Sequence, residues 1–330
     1  MKRFTFLPRV ILGLLLFVTG GGVSLATDVT NTINGTTYTF TVGTNNTVTL
    51  SQIGGTALAK YNGTSIDLAT DYPDGTFTEN GTTYTITSMD AMGGTSIATV
   101  KMPSTVTSLP TKCFDGCTSL TTVSFPGIKK IGSYAFQNCS ALTGITIPEG
   151  ATVGECAFQN CTGLTGELTI PKGTYDNRTF NGCNNVTALV IYTGSKISNP
   201  WSNYGCFGSM SSVTKVTLID DGDHTIPAHF FGNASFSTDG VDLTIPSTIT
   251  AIGDGAFYNA NFPKTLKLSQ FTSFGTFAFA DNKSLANKDV TFAENTKFTG
   301  EQTFLNCKAL SGTLTIPNGA NIGAVANVRV

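Results

Sequence analysis

The sequence predicts a solenoid, an elongated body of stacked coils, each with one short parallel strand and an irregular or short helical corner. Three observations carry this. Nine phenylalanines (Phe114, Phe136, Phe158, Phe180, Phe207, Phe231, Phe257, Phe279 and Phe304) recur at intervals of 22 to 27 residues. Four residues before each stands a turn-forming residue, namely Pro110, Gly132, Gly154, Asp176, Asn203, Pro227, Gly253, Gly275 or Gly300. After the corners run stretches that alternate apolar and small polar residues. A near-fixed period of this length marks a unit that cannot bury its apolar face alone, so neighbouring coils must stack into one core.

The turn-forming types tolerate positive φ, pre-set φ or bond their own backbone, so the chain is expected to bend there. The residue before the turn is mostly apolar (Leu109, Ile131, Val153, Tyr175, Ile226, Ile252, Phe274) and predicts a second inward ladder, broken at Ser202 and Thr299. Three residues after each Phe stands a mostly small residue: Cys117, Cys139, Cys161, Cys183, Met210, Ala234, Ala260, Asn282 and Cys307. Leu120-Thr-Thr-Val-Ser-Phe125, Leu142-Thr-Gly-Ile-Thr-Ile147 and Leu164-Thr-Gly-Glu-Leu-Thr-Ile170 read as strands with one wet face. Pro103, Pro126, Pro148, Pro171, Pro246 and Pro317 close such strands, because proline cannot donate to a ladder.

Residues 1–26 carry a basic start (Lys2, Arg3, Arg9), an apolar run over 10–18 and small residues Ser24 and Ala26, the pattern of a secretory signal peptide too short to span a membrane. The first cysteine is Cys113, which excludes lipid attachment at a cysteine behind that leader. Residues 27–88 read as a small β-rich module, with 34–42 and 47–50 as the strands of a hairpin and Asn80-Gly81 as a turn signal before another strand, that caps the first coil of a solenoid over 89–330. The formal charge of −2 becomes −5 once the three basic residues of the leader are removed. That balance argues against nucleic acid as a partner. Charged residues make up 12% of the chain, against about 25% in typical domains, so the surface lacks strong steering fields.

The repeat reads Leu-Thr-x-Ile-Thr-Ile-Pro, an apolar residue with Gly, then Ala-Phe-x-Asn-Cys. Its best copies are Ile131-Gly-Ser-Tyr-Ala-Phe-Gln-Asn-Cys139 with Leu142-Thr-Gly-Ile-Thr-Ile-Pro148, and Ile252-Gly-Asp-Gly-Ala-Phe-Tyr-Asn-Ala260. Over residues 86–323 this resembles the BspA-like leucine-rich repeat family of bacterial and protist surface proteins. The resemblance implies a leucine-rich repeat solenoid of about nine coils, secreted or held at the cell surface. It also implies adhesion through host matrix, host cells or other microbes, without shared catalytic residues. Two departures stand out. The stretch 193–204 is long and irregular, and Ile322-Gly323 lacks its Phe, since Asn327 stands there. Either residues 325–330 form a cap or the array is cut short of further domains.

The eight cysteines sit in a chain expected in an oxidising compartment. Coils about 5 Å apart allow either buried free thiols or a bond, with Cys117 to Cys139 or Cys161 to Cys183 as candidate pairs. Their spacing is that of the repeat and not of a zinc knuckle. Asp220, Asp221, Asp223 and His224, with His229 nearby, form either a solvated acidic turn or a divalent-cation site. Trp201 and Tyr204 in the irregular stretch, with Tyr192 before it, are candidate partner-binding residues, although Trp201 can equally fold back over the Phe207 coil. Two histidines and no catalytic motif leave acid-base chemistry little to work with, and no cofactor is expected. The expected function is binding of a protein or cell-surface macromolecule, the alternative a structural role through self-association at the C-terminal coil. A glycan hydrolase is the remote third reading.

Overall fold

The structure, a computed structural model, describes residues 28–198, 205–316 and 318–319. The expected leader, Trp201, Ser202, Tyr204 and the C-terminal residues expected to cap or end the array lie outside them. Two strands, not the expected one, come from each regular coil. A two-residue strand precedes the Phe corner and forms the short wall, while a longer strand follows it and forms the opposite, long wall.

On the short wall Ser108–Leu109, Lys130–Ile131, Thr152–Val153, Thr174–Tyr175 and Lys196–Ile197 pair in parallel. A second ladder joins Thr225–Ile226, Ala251–Ile252, Ser273–Phe274 and Lys297–Phe298. The long wall has three parallel groups. Ser65–Asp67, Thr99–Lys101 and Thr122–Ser124 form the first. Gly166–Ile170, Val186–Tyr192, Lys215–Ile219 and Asp242–Thr244 form the second. Lys288–Thr291 and Ser311–Thr315 form the third. Pro103, Pro126, Pro171 and Pro246 each stand just past a long-wall strand, where their missing N–H costs no ladder bond. The strand expected over 142–147 does not form.

Of the two expected corner types, irregular and short helical, the corners take the irregular one. Around eight of the nine Phe the backbone is left-handed two residues before and two after, as at Tyr134 (φ 61) and Asn138 (φ 59) around Phe136, or Cys156 (φ 52) and Asn160 (φ 59) around Phe158; at Phe207 Ser209 is left-handed and Gly205 is not. Alternating hand turns successive N–H groups to one side. The amides of Tyr134, Phe136 and Asn138 therefore donate to the carbonyls of Glu155, Ala157 and Gln159 in the next coil, at 2.8, 2.7 and 2.8 Å. Cys156, Phe158 and Asn160 repeat this onto Asn177, Thr179 and Asn181 at 3.1, 2.8 and 2.8 Å. Three such bonds, each worth about 0.5–1.5 kcal/mol net, roughly offset two left-handed residues at about 1–2 kcal/mol each. The margin comes from burying Phe.

The nine rings form one continuous stack. Neighbouring centroids lie 5.2 Å apart from Phe114 to Phe136 to Phe158, and 5.3 Å apart at Phe279 and Phe304, with interplanar angles of 4 to 20°. The two widest steps, 5.9 Å each, flank Phe207 in the longest coil. The second ladder continues at Phe298, and strand pairing along it stops between Ile197 and Ile226, in the coil where the sequence suggests a break. Ile197 pairs beside Tyr175, so the insertion lies between it and its corner, and Phe298 stacks on Phe274 at 5.3 Å in place of Thr299.

The glycines four residues before Phe are not there for positive φ. A Cβ on Gly132, Gly154 or Gly275 would stand 2.6, 2.5 or 2.3 Å from atoms of the preceding coil. Only hydrogen fits where coils approach so closely.

In the N-terminal region Asp28–Ile33, Thr36–Val42, Thr47–Ile53, Thr82–Met89 and Thr76–Glu79 form a mixed sheet in that spatial order. Thr36–Val42 and Thr47–Ile53 pair as the expected hairpin, and Asn80-Gly81 (φ 49, 78) closes another as expected, while Asn34-Gly35 (φ 50, 80) is a turn of the same kind before the first, where the sequence reads a strand. The Thr107 amide donates to the Thr87 carbonyl, and Ser65–Asp67 pairs with Thr99–Lys101, so the sheet region continues both walls. One apolar core runs from Tyr38 to Leu310. The array itself starts a coil before the first Phe. Met92 takes the Phe place, its amide donating to Cys113 while its carbonyl accepts from the Cys117 thiol.

Phe158→Ala is expected to lower the unfolding free energy by about 3–5 kcal/mol in a urea titration, and Gly154→Ala by about 1–3 kcal/mol through overpacking. Either variant matching the parent would contradict the assigned packing.

Candidate functional site

The largest uninterrupted surface built by the long strands is the wet face of the second long-wall group. Alternation along each strand sends Leu168, Ile170, Leu189, Ile191, Val216 and Leu218 into the core and leaves their neighbours outside. Parallel register then lines the outside up in rows. Glu167, Ala188, Lys215 and Asp242 form one row; Thr169, Val190, Thr217 and Thr244 form the next. Beyond them Tyr192 sits beside Ile219. Ala188, Val190, Tyr192 and Ile219 are half-buried, so an apolar centre is rimmed by charged and hydroxyl side chains. Such a face suits a macromolecule with a flat, partly apolar contact. Of the three candidate binding residues, Tyr192 belongs to this face, and Trp201 and Tyr204 lie outside the described residues.

The acidic turn at the end of the Lys215–Ile219 strand has its carboxylates aimed apart. Asp220 Oδ1 accepts from the amides of Gly222 and His224, both at 3.1 Å, and its Oδ2 meets His224 Nδ1 at 2.6 Å. A hydrogen bond from Thr248, with those from His224 and Gly222, holds the Asp220 carboxyl well below the usual range. Asp221 turns the other way and caps the neighbouring coil, accepting from Thr193 Oγ1 at 2.9 Å and the Gly194 amide at 2.8 Å. Lys172 Nζ stays 3.8 Å from Asp221 Oδ2, beyond hydrogen-bond reach. Asp223 is exposed. Among the described residues no group of three or more His, Cys, Asp or Glu side chains converges on a point that could hold an ion. The run is a staple between coils, held by the partners a cation would have to displace.

All eight cysteines are buried free thiols, so neither Cys117 with Cys139 nor Cys161 with Cys183 is bonded. Their direction explains it. The thiols of Cys139, Cys161, Cys183 and Cys307 donate to the carbonyls of Phe114, Phe136, Phe158 and Phe279 in the preceding coil, at 3.1, 3.0, 3.1 and 2.9 Å. Each sulfur points at a main-chain oxygen, not at the next sulfur. Asn282 does the same, its Nδ2 donating to the Phe257 carbonyl at 3.3 Å and to that of Phe262 at 2.8 Å. Six of the nine slots hold such a donor, with Cys117 bonded to the Met92 carbonyl, while Met210, Ala234 and Ala260 fill theirs without one. The sequence shows the small size of the slot and not the hydrogen bond made there.

The family model described as the BspA type leucine rich repeat region matches residues 85–200 and 202–326, in six copies. The chain belongs to the BspA-type leucine-rich repeat family. Among solved structures, a leucine-rich cell surface protein from Faecalibacterium prausnitzii is similar at 19% identity, covering 88% of this chain and 96% of that one, with a TM-score of 0.43. A leucine-rich repeat protein of T. pallidum matches at 17% identity over 58% of this chain and 82% of its own, TM-score 0.43. One from Bacteroides ovatus matches at 18% over 84% and 92%, TM-score 0.32. No curated protein matches the chain.

Native protein should leave all eight thiols unreactive toward Ellman's reagent, and denatured protein should expose eight; fewer than eight would reveal a bond. Burial pushes the thiols of Cys183 and Cys307 up to about 12, from an ordinary value near 9. They stay neutral in the folded chain while the unfolded chain ionises first, so their contribution is complete below pH 9 and is lost as pH rises toward 12. Melting temperature should therefore fall across pH 9–12; a flat profile would contradict this burial.

Proposed function

We propose that this BspA-type repeat protein is secreted or displayed at the cell surface and acts as a binder, joining another protein or a cell surface through the wet face of its long wall. The observation that carries the reading is the in-register outer face over Gly166–Ile170, Val186–Tyr192, Lys215–Ile219 and Asp242–Thr244, with Val190 and Tyr192 at its apolar centre. A solenoid spends its residues on an extended surface, and affinity there comes from many modest contacts around a few apolar or aromatic anchors. The leader-like residues 1–26 supply the route out of the cell. The low charge density favours contact matching over long-range attraction.

The test is a binding titration of the mature chain against a panel of extracellular-matrix proteins and whole bacterial cells. Saturable binding to at least one panel member is expected, weakened tenfold or more by Tyr192→Ala combined with Val190→Lys. Thr152→Lys on the short wall should leave it unchanged. Absence of saturable binding across the panel, or equal binding by the double variant, would overturn the reading.

A further inference from the structure

The long wall is interrupted between Thr122–Ser124, which pairs on one side with Thr99–Lys101, and Gly166–Ile170, which pairs on one side with Val186–Tyr192. Residues 142–148 run between these two open edges and join neither. Thr143 reaches back to the Thr121 carbonyl at 3.5 Å through its amide. Residues 144–147 make no hydrogen bond at all, by main chain or side chain, among the described residues. Four consecutive residues thus have main-chain groups without a partner among the described residues, with Gly144 and Thr146 exposed, Ile145 half-buried and Ile147 buried, flanked by two strands that each lack a neighbour.

The same place in another coil shows how the protein closes such a gap when it does. Residues 264–268 follow Phe257 as 143–147 follow Phe136, and they too form no wall strand. There Asn287 fills in: its Oδ1 accepts from the Leu266 amide at 2.9 Å and its Nδ2 donates to the Leu266 carbonyl at 2.6 Å. Asn287 stands eight residues after Phe279. Eight residues after Phe158 stands Gly166, with φ +72 and open space within 4 Å of any Cβ placed on it. Ile145, the counterpart of Leu266, is left with both main-chain groups free.

Side-chain space accompanies the free backbone. A cleft of about 340 Å³ opens between Thr122–Ser124 and the 145–148 stretch, lined by Val123, Phe125, Ile128 and Ile145 and by no charged residue. A second of about 360 Å³ lies on the other side, where Thr143, Thr165 and Glu167 make it more polar. An anionic polymer would find no cation in either. A polypeptide strand answers both features, since it supplies amides and carbonyls at the right repeat and an apolar side chain at every second residue.

We propose that residues 144–147 are a strand-addition site, at which an extended, uncharged stretch of a partner polypeptide pairs its main chain with Ile145 and seats an apolar side chain against Val123 and Phe125. This site is separate from the outer face of the second group, and its failure would leave that reading standing. The probe is a fluorescein-labelled peptide of residues 186–193 (Val-Thr-Ala-Leu-Val-Ile-Tyr-Thr), an uncharged sequence whose residues 186–192 already form a long-wall strand in this fold.

Anisotropy should show saturable binding to the mature chain, lost when alternate peptide amides are N-methylated. Gly166→Asn places an amide where Asn287 closes the other gap, and asparagine tolerates the left-handed backbone there; it should weaken binding tenfold or more. Ile145→Pro, which removes the donor from a segment that pairs with nothing, should do the same with an unchanged melting temperature. Thr152→Lys should bind as the parent does. No saturable binding by the parent, or undiminished binding by both Gly166→Asn and Ile145→Pro, would overturn the proposal.

Discussion

Coil spacing at the Phe corner governs this molecule. Alternating left-handed residues aim three amides per corner at the next coil, and that contact sets the rings about 5 Å apart, close enough to stack face to face. The glycines four residues earlier remove the Cβ atoms that would hold the coils apart. The cysteine column closes the last valence by donating back to the Phe carbonyls. Strain, close approach and ring stacking are thus parts of one contact, repeated along the chain. Where the repeat loses strictness, at the longest coil, the ring spacing widens to 5.9 Å.

The recurring phenylalanines, the apolar residue before each turn and the alternation ahead of proline made legible the solenoid, the inward ladders and the strands before Pro103, Pro126, Pro171 and Pro246. What stayed illegible depended on contacts between coils. The short wall is two residues long, too brief for any alternation to show. A left-handed Tyr134 or Cys156 carries no sequence mark, because ordinarily glycine or asparagine takes that conformation; only the partner carbonyl in the next coil justifies it. Met92 escaped notice because its side chain is not aromatic, yet its main chain behaves like that of Phe114. Ile197 and Phe298 fill the ladder from positions the fixed offset does not reach, since residues are inserted or shifted ahead of their corners. Among the proposed binding residues, Tyr192 stands out in the sequence by its place before the irregular stretch. That Ala188, Val190 and Ile219 share its outer face is visible only in the strand register.

The two walls divide the labour. The short wall and the corners are bound tightly from coil to coil and present polar ladders such as Asn138 with Asn160 at 3.0 Å and Asn233 with Asn259 at 2.6 Å. The long wall is looser. Register shifts between Gly166–Glu167 and the Val186–Ala188 stretch of the following strand, which carries one extra residue there, and the 142–148 stretch of the coil before stays unpaired. A solenoid can tolerate this because stability is a sum over neighbouring coils, and the opposite wall keeps those coils joined. Variation in strand length is therefore confined to the face that is free to meet partners.

The central claim is that equivalent phenylalanines touch only their neighbours along a single stack. Double-mutant cycles test it most directly, with Phe136 and Phe158 as an adjacent pair and Phe136 and Phe257 as a distant one, read by urea unfolding. The account predicts a coupling of about 0.5–1.5 kcal/mol for the adjacent pair and additivity within about 0.3–0.5 kcal/mol for the distant pair. Additivity in the adjacent pair, or equal coupling in both, would contradict it.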